Sequence, residues 1–499
     1  MSQPLNDGVH PHPHPQLRRE FTLWSAAAVA FAFISPIVAL YSIFGLLLGA
    51  AGASGWWAFP VVLVGQLLVA LAFGELASRW PIEGSVYQWV RRLAPQGLGW
   101  MTGWLYAWTL AISSASVAYS AAMFVGPALG FGTLDTAGSL AVAFVVLAIA
   151  TIVNVAGRKW IKYLVSAALV AELVGSIAVG CYLLIFHRVN SIDVLFSGFG
   201  DGTTTWAGFA AALAFVGWSF VGFESAGSIS EEVRSPRRAV PKAMIASVLC
   251  VAAVVSFAGL AVILAIPDLK ALGSGDPVVD TLTTQLGAGV AQPIFVLFLV
   301  AFLATLIAVQ TSASRMVFAL SRDEALPFAS RLRRLRTTDQ MPVAAVVVVG
   351  VAAGAILLTS LAGNVYSTLI GFTVGGFFLT FLLVLCSFVW ARARGRWAPG
   401  PFSLRGFGLP VTIIACIWTI FEFINIAWPR TPSAPWFVDW AVPLMIALLA
   451  VIGVGVYSRV RSRIAPPIEP PADEEHEELE TTPRASTPPA PRQTKEHTR

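Results

Sequence analysis

The sequence predicts an all-α membrane protein of twelve transmembrane helices, and three observations carry that prediction. Of its 499 residues, 57% are hydrophobic and only 12% are charged, where water-soluble domains run near a quarter charged. Mean hydropathy is +0.75. Apolar stretches of the roughly 20 residues that a helix needs to cross a bilayer recur along the whole chain, separated by short polar connections. A water-soluble globular protein is excluded.

The predicted spans are 22–52, 56–78, 98–127, 137–156, 160–186, 206–230, 240–266, 292–320, 342–361, 366–390, 408–428 and 437–458. The first is too long for a signal-peptide core and has no small-residue cleavage site behind it, so it reads as part of the mature protein. Cys181, Cys250, Cys386 and Cys416 all fall inside apolar spans and read as packing thiols. Trp56, Trp57, Trp80, Trp428, Trp436 and Trp440 lie at span ends, where aromatic anchoring at the membrane interface is expected.

The net charge of +5 finds its explanation in where the basic residues sit. With both termini placed inside, 24 Lys and Arg fall in inside loops and tails, from Arg18 and Arg19 to Arg459, Arg461 and Arg463, against 3 outside, Arg188, Lys270 and Arg430. Cationic loops resist translocation, so this bias fixes orientation. It predicts a multi-pass protein of the inner (plasma) membrane, in contact with lipid, with both termini cytoplasmic. No nucleic-acid partner is needed to account for the basic balance.

Residues 1–20 read as a disordered tail in which His10, His12 and His14 alternate with prolines. Residues 461–499, rich in proline, glutamate and threonine, read as a second cytoplasmic tail. Between them the sequence pattern suggests an internal repeat. Many transporters consist of two halves of inverted topology whose first helices are both broken near mid-membrane. In the first span Ser35 and Pro36 lie about halfway along, and proline removes a backbone donor and clashes with the preceding turn. In the sixth span Gly222 lies at a comparable depth within GWSFVGFESAG, and glycine leaves helical geometry most easily. Spans one to five and six to ten then pair as a five-plus-five inverted-repeat core, 21–400, with two peripheral helices in 401–460. Unwound backbone is tolerated in a membrane only where protein or a polar cavity satisfies it, so paired breaks point to a binding site.

Acidic residues sharpen the location. Glu224 lies beside the second break, and an acid at a helix centre costs about 2.5 to 3.5 kcal/mol on insertion scales, which marks it as a functional candidate. Two readings are open for it: an acid that binds and releases a proton, or one that hydrogen-bonds the unwound backbone. Glu172, in LVAELVG of the fifth span, is a second intramembrane acid; it either alternates protonation, attracts a cation, or is bonded to a neighbouring helix. Glu422 lies outside the ten-helix core and reads as structural. Glu231, Glu232, Arg234, Arg237 and Arg238 follow the sixth span on the inside face, where opposite charges can exchange partners or remain solvated.

Four segments carry a resemblance to a known family. WSFVGFES at 218–225 followed by SEEVRSPRRAVPKA at 230–243 resembles the sixth helix of the amino acid, polyamine and organocation permease superfamily. ELASRWPIEGSVYQWVRR at 75–92 is similar to the loop after its second helix, LGWMTGWLYAW at 98–108 to the start of its third, and RMVFALSRDEALP at 315–327 to the end of its eighth. The resemblance covers roughly residues 20–460. It implies a secondary transporter for amino acids or related amines, proton-coupled, with Trp218 closing over bound substrate, Ser219 and Gly222 lining the unwound stretch and Glu224 as the proton-linked acid. It implies Ser114 near a substrate-lining position of the third helix, beside Ser113 and Ser116. Relatives often carry a lysine near Glu172. The family usually breaks its first helix with a glycine-rich turn, whereas this chain has Ile34, Ser35, Pro36 and Ile37 there; those backbone amides would face a substrate carboxylate, but Pro36 subtracts one donor and leaves room for a decarboxylated amine. No phosphate-binding glycine loop and no cluster of His, Cys and Asp appears in the loops, so no enzyme, no cofactor and no metal is expected, and the substrate is a small molecule moved by a gradient.

Overall fold

The computed structural model describes residues 22–157, 163, 167, 168, 170–269, 276–359, 366–430 and 435–467. The N-terminal tail with its three histidines, and the C-terminal tail beyond residue 467, lie outside the described residues. Every regular element among the described residues is a helix. In chain order the helices used below are α1 (Leu23–Ile34), α2 (Pro36–Tyr41), α3 (Phe44–Ala51), α4 (Ala58–Arg79), α5 (Ser85–Leu93), α6 (Gln96–Leu129) and α7 (Thr136–Ala156). They continue as α8 (Val170–Phe186), α9 (Trp206–Val216), α10 (Ser225–Ser228), α11 (Pro236–Ala265), α12 (Ala288–Arg322), α13 (Val343–Leu357), α14 (Tyr366–Ala393), α15 (Gly408–Ala427) and α16 (Ala441–Val460).

Nine helical stretches among the described residues are long and apolar enough to cross a membrane, and three shorter apolar helices, Ala30–Tyr41, Val170–Phe186 and Val343–Leu357, accompany them. The shortfall against twelve long spans has a physical origin at the first span, 22–52, where the sequence expects a break at Ser35 and Pro36. Ser35 takes a left-handed φ of 50° and Pro36 has no amide to donate, so α1 stops and α2 restarts. A second interruption at Ser42–Ile43 precedes α3.

Depth in the bundle separates centre from periphery. The most apolar window of α6 is 83% buried, that of α16 only 11%. Helices α6 and α12 form the centre, with Phe124 of α6 set edge-on against Phe298 of α12 at 5.5 Å. On the outer helices Ile152, Ile185, Val351 and Val451 are exposed, as side chains facing lipid tails require. Cys386 and Cys416 are free thiols whose sulfurs lie 3.5 Å apart between α14 and α15.

Buried polar anchors fix the helix ends. Glu75 near the end of α4 is 1% exposed. It accepts hydrogen bonds from Arg392 of α14 and from the Leu404 amide at 2.9 Å, while the Arg392 guanidinium lies over the Phe388 ring at 4.3 Å. Charge, amide and ring together leave this carboxylate paired in a setting where an unpaired one would be costly.

Small residues allow the close approaches between helices that packing in lipid demands. A Cβ at Gly65 of α4 would sit 2.0 Å from the Trp418 ring of α15. Gly65→Ala is therefore expected to lower the melting temperature of the purified protein, at a cost of about 1 to 3 kcal/mol from overpacking. Combined with Trp418→Ala, the loss should be smaller than the sum of the two single changes; strict additivity would show that the two sites do not touch.

Candidate site at the paired helix breaks

At the first break the backbone groups freed by Pro36 are satisfied from within. The Ile37 amide donates to Glu172 Oε2 at 2.9 Å. The Val38 amide donates to Ser35 Oγ at 3.2 Å, and the Ser35 hydroxyl in turn donates to Glu172 Oε1. Ser35 holds a positive φ, a conformation that costs roughly 1 to 3 kcal/mol outside glycine and persists only where its surroundings enforce it. Glu172, 2% exposed, lies on α8 where that helix widens into a π turn over Leu173–Ala178, a feature that recurs at functional positions.

The second break has the same logic with different parts. After α9 the chain tightens into a 3₁₀ turn at Gly217–Phe220, and Val221 is extended at φ −93° and ψ 154°. Gly222 has φ +103°, and a Cβ there would lie 2.3 Å from the Phe33 ring, so both conformation and space demand glycine. Glu224 is fully buried. It accepts from the Gly222 amide at 3.1 Å and from the Tyr106 hydroxyl of α6 at 2.8 Å.

Between the breaks lies a cavity of about 20 Å³, lined by Ile34 and Val38 from the first break, Trp218 and Val221 from the second, Ser113 of α6, Thr305 of α12 and Phe377 of α14, with Phe33. That volume holds about one water molecule; an amine or amino acid requires the walls to part. The walls are tied across the gap. Trp218 Nε1 donates to the Val38 carbonyl at 3.3 Å and the Ser219 hydroxyl to the Ala39 carbonyl at 2.7 Å.

The residues singled out from sequence thus divide into groups. Ile34 and Trp218 line the cavity; Ser35 and Ile37 turn to Glu172, with Pro36 buried between them; Ser219 bridges the two breaks; Gly222 and Glu224 stand behind Val221. Ser114 bonds the Leu110 carbonyl of its own helix at 2.9 Å, and its neighbour Ser113 faces the cavity instead. Tyr106 and the Glu172–Ile37 bond were not read from the sequence; a phenol within the apolar stretch LGWMTGWLYAW was the available signal for the first.

A second polar region closes one end of the bundle. Glu232 pairs with Arg315 at 2.7 Å, Glu83 with Arg315 at 3.5 Å and Glu231 with Arg322 at 3.4 Å. Arg91 pairs with Asp323, to which Gln88 also donates at 2.9 Å. The chain following α16 joins here, with the Ala465 amide donating to the Asp323 carbonyl at 2.9 Å and the Ala465 carbonyl accepting from Arg91. Glu83, in the loop between α4 and α5, shares its arginine with Glu232. Burial, then the charge of Glu231, push its carboxyl from 4.5 up to about 8 against the pull of Arg315.

The sign of that shift gives a test. A carboxyl whose pKa is raised by folding is held neutral by the fold, so its contribution is complete below about 4.5 and is withdrawn as pH climbs to about 8. The melting temperature should therefore fall from pH 5 to pH 8 more steeply in the unaltered protein than in Glu83→Gln. Identical slopes would show that Glu83 is not held neutral.

The chain matches the family described as amino acid permease over residues 21–452. Among similar proteins, amino-acid permease 2 of Neurospora crassa is 27% identical over 90% of this chain and 86% of its own length. A putative polyamine transporter of Candida albicans is 23% identical over 89% and 85%, and a low-affinity putrescine importer of Escherichia coli is 23% identical over 62% and 69%. Long apolar helices and these relatives agree on a multi-pass membrane protein that transports a small molecule and is not an enzyme. The chain belongs to the amino acid permease family, within the amino acid, polyamine and organocation superfamily.

Proposed function

We propose that this permease is a secondary active transporter that carries amino acids or closely related amines across the plasma membrane by alternating access, coupled to protons through Glu224. The observation that carries the reading is the pair of mid-helix breaks facing one cavity, with a fully buried acid against the second break. Broken helices meeting at the midplane are how such carriers expose a site to each side in turn. The relatives named for amino acids and for polyamines support the substrate range.

In this reading the chain crosses the membrane twelve times, nine long stretches and three shorter apolar helices supplying the spans. Spans one to five and six to ten form inverted halves, both termini are cytoplasmic, and the Glu83, Glu232 and Arg315 cluster lies at the cytoplasmic end. Trp218 covers the substrate ammonium with its indole face, an attraction of about 0.5 to 2 kcal/mol. Opening requires its bond to the Val38 carbonyl to break. Glu224 takes a proton when the cavity is wet on one side and gives it up on the other, exchanging Tyr106 and Gly222 as partners as the second break moves. Glu172 holds the first break.

Uptake by protein reconstituted in liposomes, driven by an inward proton gradient and followed with labelled amino acids and amines, tests this directly. Glu224→Gln should insert normally yet lose about tenfold or more of gradient-driven uptake, the size expected when a charge-assisted bond worth about 1.5 to 3 kcal/mol disappears. Unaltered pH-dependent uptake by that variant refutes the coupling role.

Trp218→Ala removes both the lid and the tie to Val38. Substrate affinity is expected to weaken by about tenfold, equivalent to about 1.4 kcal/mol, while far-ultraviolet helix content is retained. Unchanged affinity and rate would place the substrate elsewhere.

A further inference from the structure

The donors and charges around the cavity specify what fits it. We infer that the site selects an organic cation without a carboxylate, a primary amine or diamine, over the amino acid bearing the same side chain, and that Glu172 sets this preference. The inference rests on the reading of the cavity between the breaks as the substrate site.

A substrate carboxylate needs hydrogen-bond donors or a cation, and most of those near the cavity are already committed, the Ser113 hydroxyl that faces it being an exception. The Ile37 amide is held by Glu172, the Val38 amide by Ser35 and the Gly222 amide by Glu224. The Tyr106 hydroxyl is given to Glu224, the Trp218 indole to the Val38 carbonyl and the Thr305 hydroxyl to the Ala32 carbonyl at 3.1 Å. No Lys, Arg or His is among the described residues lining the cavity. An entering carboxylate is left desolvated and unpaired, at a cost of several kcal/mol, or must displace an acid that the protein itself holds in place at high effective concentration.

Two acids stand beside the breaks. Glu172 and Glu224 both receive hydrogen bonds from neutral donors, and among the described residues neither forms an ion pair with Lys or Arg. Glu172 bonds Ser35 and Ile37, which lie between the lining residues Ile34 and Val38, and Glu224 bonds the amide of Gly222, next in chain to the lining residue Val221. The extended Val221 interrupts the helical ladder, so carbonyls of the preceding turn lack the amides that a continuing helix supplies. The indole of Trp218 and the rings of Phe33 and Phe377 complete a wall suited to an ammonium. In a medium of low dielectric, either acid in its ionised form favours an entering cation and opposes a second carboxylate.

The test uses pairs of compounds that differ by one carboxylate: agmatine and arginine, putrescine and ornithine, cadaverine and lysine, each measured by tracer binding and ligand-dependent melting with the full chain in lipid nanodiscs. In the unaltered protein each amine should bind at least about tenfold more tightly than its parent amino acid. Glu172→Gln, which keeps shape and an acceptor for the Ile37 amide, presents an NH2 that Ser35 Oγ can accept from, and removes charge, should weaken the amine and narrow that ratio by about tenfold. Parent amino acids that bind the unaltered protein as tightly as their amines overturn the inference and leave the transporter reading standing. A ratio unchanged in a folded Glu172→Gln protein overturns the role of Glu172. Binding of neither member of any pair overturns the placement of the substrate site itself, and the inference with it.

Discussion

The bond from the Ile37 amide to Glu172 is the constraint on which the centre of this protein depends. A helix interrupted inside a membrane exposes polar backbone where no water can meet it, and each unsatisfied group costs several kcal/mol. Pro36 forces the interruption, and α8 supplies the carboxylate that makes it tolerable. Ser35 links the two, accepting from Val38 and donating to Glu172. One acid on a neighbouring helix thus stabilises a conformation that the local sequence alone would disfavour, and it ties the position of α1 and α2 to that of α8.

The second break repeats this arrangement with a difference that matters for movement. Its acid, Glu224, lies on the broken segment itself and takes one partner locally, Gly222, and one from α6, Tyr106. The first break is clamped by a separate helix; the second carries its own clamp and shares it. Tyr106 thus ties the second break to α6, whereas Glu172 ties the first to α8. The cross-ties from Trp218 and Ser219 to the Val38 and Ala39 carbonyls are the contacts through which one break senses the other.

Much of this centre was legible in the sequence because proline, glycine and acid are conspicuous against apolar helices. Pro36, Gly222 and Glu224 announced themselves, and the motifs around them placed the chain in its family. What could not be read was the direction in which helices face. On α6 the polar residues Thr102, Tyr106, Thr109, Ser113, Ser116 and Ser120 recur at three- and four-residue spacing and include Ser113 but not Ser114, yet the stripe does not say which helices it meets; the structure turns Ser113 to the cavity. Glu172 was visible as an acid, but its partner Ile37 lies 135 positions away and contributes only a backbone amide, which leaves no trace in residue type. Glu83 was hidden for a similar reason: its meeting with Arg315 joins the loop after α4 to α12, and nothing local in either segment reports it. The break at Ser35 and Pro36 was legible, but the second interruption at Ser42–Ile43, which divides the first predicted span into three helices, has no proline or glycine to announce it.

The chain beyond α16 has a consequence of a different kind. Ala465 is held at both its amide and its carbonyl, by Asp323 and by Arg91, so the folded unit extends past the last helix, which ends at Val460. A fluorescent reporter or affinity handle joined directly at the helix end would strip those partners from the closed face and pull on α5 and α12. Joined beyond residue 467, it leaves the strand of chain seated, and the attachment point becomes a mechanical choice about the transporter rather than a neutral convenience.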